Sequence, residues 1–257
     1  MKVNYHTHTT RCHHASGTER EYVEAAIKNG FKVLGFADHT PYPFPEDHSH
    51  HIRMRMNELD NYVNTVLSLR DEYKNDIDIH LGLEVEYFPA YFEKLRREVS
   101  AYPIEYFLLA QHYAGNSAKG DFYNGWKTED PAHLITYCNQ VLEGMDTGCF
   151  TYLAHPDLIY FVGDRDLYKT QIRRICRKAK ELNLPLEINL LGIAEDRHYP
   201  TDLFWQVAGE EGCDAVLGID AHKAEHFQCK ERVAKTHELV RKYNLNLLED
   251  ITLRNPF

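Results

Sequence analysis

Two histidines separated by a single residue, His6 and His8, stand near the start of the chain in Tyr-His-Thr-His-Thr. In an extended strand, residues i and i+2 project from the same face, so such a pair can grip one cation. The spacing returns as Glu84 and Glu86 in GLEVEYF and as Asp220 and His222 in LGIDAH. His39 (GFADH), His112 (LLAQH) and His155 (YLAHPD) each end a short apolar run, and His13 and His14 follow the first run in RCHHA. Imidazole and carboxylate together suit Zn²⁺, Mn²⁺ or Fe²⁺ better than Ca²⁺ or Mg²⁺, which prefer all-oxygen shells. Water on such an ion ionises near neutral pH, giving a hydrolytic nucleophile without an activated side chain. A lone H-x-H is weak evidence, and a histidine ending a strand is more often a surface or hydrogen-bonded residue. The weight lies in the conjunction of so many ligand types at strand ends.

Those ends require strands to carry them. Apolar runs at Lys2–His8, Val33–His39, Ile77–Tyr87, Tyr106–Tyr113, Phe150–Asp157, Pro185–Leu191 and Ala215–His222 read as strands. Helical patterns lie between or after them, near 18–29, 54–75, 90–101, 130–146, 166–183, 201–211 and 229–243. Thr18 with Glu21 predicts a capping box, Gly30 a helix stop, and Thr128 or Asp130 a cap before Pro131. Thr201 is the expected cap of the helix containing Trp205. This alternation predicts an α/β fold: a closed, TIM-like barrel of seven parallel strands with outer helices, formed by residues 1–257 as one domain. An open doubly wound sheet is the alternative, but neither G-x-G-x-x-G nor G-x-x-x-x-G-K-[ST] occurs to support it. In a parallel barrel the carboxyl ends of all strands share one rim, so the candidate ligands converge there. The stretch Thr40–Arg53, with three prolines, is expected to be a loop over that rim, and His48, His50 and His51 within it are read as ordinary loop polarity.

Composition bounds the function. A 257-residue chain with 43% hydrophobic residues and net charge −10 can bury a sizeable core, and its acidity makes it a poor match for nucleic acid. The six cysteines form no C-x-x-C pair, no basic-apolar leader opens the sequence, and no apolar run is long enough to span a membrane. A cytoplasmic protein without membrane or nucleic-acid partners is expected. No heptad pattern specifies a coiled-coil assembly.

The motifs H-T-H-T, C-H-H-A-S-G-T-E, G-F-A-D-H-T-P, G-L-E-V-E-Y-F-P, Q-H-Y, A-H-P-D, L-E-I-N and G-I-D-A-H-K occur in that order. Together they resemble the polymerase and histidinol phosphatase (PHP) superfamily, most of all its stand-alone L-histidinol-phosphate phosphatases. The resemblance implies a distorted (β/α)7 barrel holding three divalent transition-metal ions. His6, His8, Glu84 and Asp220 would bind the first, a bridging Glu84 with His112 and His155 the second, and His14, His39 and His222 the third. The family places its ligand just before the alanine of RCHHA, which selects His14 over His13. The implied reaction is hydrolysis of the small phosphate ester L-histidinol phosphate, in histidine biosynthesis, by a metal-bound hydroxide. Glu84 and Asp220 would then serve catalysis, Asp220 or a metal-bound water assisting the leaving group. Arg197, in the loop after the sixth strand, is the candidate phosphate clamp and His198 a weaker substrate contact, with Lys223 and Arg11 behind them. Glu86 either supports the ligands or meets an amine. Another phosphoesterase of the superfamily (nucleotide phosphatase, phosphodiesterase or exonuclease) is the alternative, and a non-catalytic metal-binding protein the third reading.

Overall fold

Tyr106 shows how tightly the sheet is curled. An ideal Cβ on Gly82 would stand 2.3 Å from its ring, and one on Gly35 would stand 2.2 Å from its hydroxyl. Glycine at both positions lets the tyrosine lie across the barrel, its hydroxyl 2.7 Å from the Tyr5 carbonyl.

The computed structural model describes residues 1–44, 52–115 and 122–257. Its sheet contains β1 (Val3–Asn4), β2 (Val33–His39), β3 (Asp78–Val85), β4 (Tyr106–Leu109), β5 (Phe150–Leu153), β6 (Leu186–Asn189), β7 (Asp214–Gly218) and β8 (Asn246–Leu247). All neighbours are parallel and follow chain order. Past the ends of β1 and β7, Thr7 bridges Ala221: the His8 amide donates to the Ala221 carbonyl at 2.9 Å and the Ala221 amide to the His6 carbonyl at 3.2 Å. The first and seventh strands are thereby joined at the carboxyl-end rim. The expected seven strands are present, and β8 is an eighth. Two residues of ladder are too short to leave a periodic signal.

Helices α1 (Glu19–Lys28), α2 (Leu59–Tyr73), α3 (Phe92–Val99), α4 (Pro131–Asp146), α5 (Arg165–Glu181), α6 (Leu190–Ala194), α7 (Asp202–Glu211) and α8 (Lys230–Lys242) follow. The punctuation works as the residues dictate. Thr18 and Glu21 form the capping box of α1, Asp130 rather than Thr128 caps α4 ahead of Pro131, and Thr201 caps α7. Helix α6 is a departure: the sixth strand was expected to reach Leu191 but stops at Asn189. The Asn189 side chain accepts from the Gly192 amide at 3.0 Å and so caps a helix instead.

Apolar side chains form two layers. One lies between sheet and helices, with Phe36, Leu81, Phe107, Trp205 and Ile172 fully buried. The other fills the barrel, with Tyr5, Tyr106, Leu108, Tyr152 and Val216, and carries Leu248, Ile251 and Leu253 of the C-terminal segment against it. Each fully buried aliphatic side chain contributes about 1.5–3 kcal/mol of transfer free energy. All six cysteines are buried and free. Among the described residues no helix is long and apolar enough to cross a membrane. Thr40, Tyr42 and Arg53 of the expected rim loop are buried, whereas His48, His50 and His51 lie outside the described residues.

Candidate metal centre

Within the strand ladders only His39 and Glu84 of the nine proposed ligands are paired, opposite each other in the β2–β3 register. The others lie outside the named strands, most of them just past a strand's carboxyl end. Two of them occupy left-handed backbone, His155 at φ +27° and Asp220 at φ +54°. A non-glycine residue there costs about 1–3 kcal/mol, strain that proteins keep mainly at functional sites.

All nine side chains meet in one cluster. Glu84 is its hub: Oε1 lies 2.9 Å from His155 Nε2, 3.2 Å from His6 Nε2 and 3.7 Å from His112 Nε2, and Oε2 lies 2.7 Å from His39 Nδ1. Asp220 Oδ1 approaches His8 Nε2 at 3.0 Å, and His222 Nε2 faces His14 Nε2 at 2.9 Å. His14 alone is exposed, at the mouth; the rest are buried. The ligand atoms gather as His14–His39–His222, His6–His8–Glu84, His6–His155–Asp220 and His39–Glu84–His112, and buried Cys12 joins His8 and His222.

Hydrogen bonding decides where the lone pairs point. Nδ1 of His14 meets the Cys12 carbonyl at 2.7 Å and Nδ1 of His222 the Asp220 carbonyl at 3.0 Å. A carbonyl only accepts, so each Nδ1 carries hydrogen, and in the neutral ring each Nε2 carries a lone pair. Two lone pairs face each other across that 2.9 Å gap, an arrangement that suits a cation. His6 Nδ1 and His8 Nδ1 are likewise turned to carboxylates, Glu187 at 2.7 Å and Asp38 at 3.3 Å, the usual outer partners of metal-binding histidines. His112 Nδ1 and His155 Nδ1 are buried without hydrogen-bond partners. Buried polar atoms are rarely orphaned. The donor set and these orphans fit divalent metal.

Burial holds His39 and His222 well below the ordinary imidazole range and pushes His112 down to about 3. Burial opposes charge on His6 and His8 too, but carboxylates outweigh it. Glu187, Asp220 and Glu84 raise His6, while Asp220, Asp38 and Glu84 bring His8 to about 9. Glu84 and Asp220 are held well below the carboxylate range, burial being outweighed by the surrounding imidazoles. Asp220 is therefore ionised, suited to ligation and not to donating a proton.

The cluster floors a cavity of about 320 Å³ whose walls include Arg197, Tyr199, Tyr113, Tyr123, Trp126 and Leu158. A larger cavity, about 750 Å³, lies beside Val3, Val33 and Leu248 and has none of the clustered ligands. Arg197 lines the cavity, paired with Glu195 at 2.5 Å and donating to the Tyr199 hydroxyl at 2.7 Å. His198 does not line the cavity. Its ring stacks on Tyr160 with centroids 4.2 Å apart, and Nε2 faces the Leu158 carbonyl at 2.8 Å. Lys223 and Arg11 do not line it either, and Arg11 is spent on Glu19, Asn61 and Thr9. Glu86 accepts from the His112 and Tyr113 amides at 3.1 and 2.9 Å and pairs with buried Arg53, so it positions the backbone of His112.

Sequence reasoning gave no role to Glu187, Asp38 or Asn189. Glu187 binds His6 and also accepts from the His155 amide at 3.0 Å, and Asn189 donates to both Glu187 and Asp220. The available signals were the polar residues Glu187 and Asn189 of the L-E-I-N motif and Asp38 beside His39 in G-F-A-D-H.

Residues 4–190 match the family model described as PHP domain. The chain belongs to the PHP domain family. Among its relatives, a probable histidinol-phosphatase of Deinococcus radiodurans is 28% identical over 234 residues, covering 85% of each chain. One of Schizosaccharomyces pombe is 26% identical, covering 92% of this chain and 86% of its own. The crystal structure of histidinol phosphate phosphatase from Lactococcus lactis, complexed with zinc, L-histidinol and phosphate, superposes with a TM-score of 0.76. It covers 98% of this chain and 97% of its own at 19% identity, which establishes the shared fold.

Proposed function

We propose that this PHP-domain protein is a metal-dependent phosphomonoesterase that hydrolyses L-histidinol phosphate to L-histidinol and phosphate, a step of histidine biosynthesis in the cytoplasm. The observation that carries the reading is the convergence of seven imidazoles and two carboxylates in one cluster, five of the imidazoles and both carboxylates lining a cavity with Arg197 in its wall. The names of the full-length relatives supply the substrate. Three ions, zinc, manganese or iron, would be held by His6, His8, Glu84 and Asp220, by Glu84, His112 and His155, and by His14, His39 and His222. Divalent ions there supply an acidified water and positive charge for the phosphate oxygens.

The chain's own residues do the remaining work. Glu187 and Asp38 fix the tautomers of His6 and His8, so that both Nε2 atoms face the centre. Arg197, already oriented by Glu195 and Tyr199, presents a guanidinium to the phosphate. Ionised Asp220 and Glu84 are ready as ligands at neutral pH. The deep, narrow placement of the ligands favours a small monoester over a polymer. Comparing kcat/KM of metal-loaded protein on L-histidinol phosphate, a dinucleotide and a phosphotyrosine peptide tests this. Preference for L-histidinol phosphate by at least tenfold is expected; equal or faster turnover of the dinucleotide would overturn the substrate.

A further inference from the structure

The organic half of L-histidinol phosphate bears an ammonium and an imidazole, yet among the described residues the only carboxylates lining the cavity are Glu84 and Asp220. Both are enclosed by ligand imidazoles. A cationic leaving group must find another partner. We propose that Tyr123 and Trp126 form its seat, selecting esters whose alcohol is cationic or aromatic. This rests on the reading of the site as a histidinol-phosphate phosphatase.

The seat is built into the fold. The segment carrying it is pinned to the strand-four extension: the Asn124 amide donates to the His112 carbonyl at 2.7 Å and the Ala114 amide to the Phe122 carbonyl at 3.0 Å. Asn124 is fully buried, its side chain donating to the Gln111 carbonyl at 2.8 Å, while its own carbonyl accepts from the Tyr160 amide at 2.9 Å. The aromatic wall therefore keeps a set distance from His112 and the metal cluster. Trp126 is nonetheless 59% exposed, the most exposed large hydrophobic residue described. It meets Phe122 and Tyr123 at interplanar angles of 83° and 78°, so neither ring lies flat on the indole. A single exposed tryptophan is ordinary on a protein surface. One held by buried hydrogen bonds at the wall of the cavity that Arg197 also lines is placed to bind a cation or an aromatic ring, and indole is the strongest side chain for the former. Phosphate toward Arg197 and the ligands, organic cation toward Trp126, gives the substrate one orientation.

The chain has two tryptophans, and the other, Trp205, is fully buried away from this cavity wall, so comparison with a Trp126 variant assigns a ligand-induced emission shift. Adding L-histidinol to metal-loaded protein is expected to shift that emission saturably, and Trp126→Leu to abolish the shift. The same variant should raise KM for L-histidinol phosphate by about tenfold with kcat nearly unchanged, while leaving glycerol 1-phosphate unaffected. Trp126→Phe should restore part of the loss. Absence of an emission shift in the wild type, or equal changes on both esters, or no change on either, would overturn the seat. If the wild type failed to hydrolyse L-histidinol phosphate but L-histidinol still shifted Trp126, the substrate reading would fail and the seat would stand.

Discussion

Gly218 makes room for Glu187: a Cβ on the glycine would fall 1.7 Å from Glu187 Oε1, the oxygen that lies 2.7 Å from His6 Nδ1. No rotamer change removes such an overlap without moving the carboxylate. The orientation of one proposed metal ligand thus depends on a missing side chain on the strand next door.

Glu187→Ala should therefore weaken metal binding or activity by about 10–100-fold while the fold persists, and Glu187→Gln by less, since an amide oxygen still accepts from His6. Gly218→Ala should act in the same direction without touching the carboxylate. Competition with a chromogenic chelator measures the affinity, and circular dichroism checks the fold.

His14 and His222 aim lone pairs at each other, and His14 is the exposed member. Its truncation should cost little stability and much function. His14→Ala is expected to lose one metal ion per chain by elemental analysis and about a hundredfold or more in kcat, with the melting temperature of chelator-treated protein nearly unchanged.

Arg197 forms contacts at the cavity wall that leave it oriented but half-exposed. Arg197→Ala should raise KM for the phosphate ester by about 10–100-fold, the worth of a charge-assisted hydrogen bond, and Arg197→Lys should recover only part because it loses the fork. Steady-state kinetics check both.

Far from the site, His80 lies 3.1 Å from Glu105 and 3.2 Å from Asp78. Burial opposes its charge, but the two carboxylates raise its pKa above 6.5. Its stabilising contribution is full below the unfolded value and disappears as pH rises through the folded one. Urea unfolding of His80→Gln should show a deficit of at most about 1 kcal/mol at pH 5.5 that shrinks by pH 8.5.

The rim ligands were legible because strand ends impose order. Period-two spacing pairs His6 with His8 and Asp220 with His222, and a parallel sheet brings such ends together. Arg197 was reachable by the same logic, as part of a loop that opens on that rim. His198, one residue on, was not, since neighbours in a loop share no face and its ring goes to Tyr160. Glu187, Asp38 and Gly218 act across the barrel, where contacts depend on register and curvature. Tyr123 and Trp126 sit in a loop without periodicity, placed by Asn124 hydrogen bonds that no local pattern encodes. Strand β8 and helix α6 are too short to stand out.

The central claim is metal-dependent hydrolysis of L-histidinol phosphate, and titrating zinc or manganese into chelator-stripped protein while following phosphate release from that ester tests it most directly. No release is predicted at the start, then a rise that levels near about three equivalents per chain. Full activity in the stripped protein, or silence at every metal loading, would contradict it.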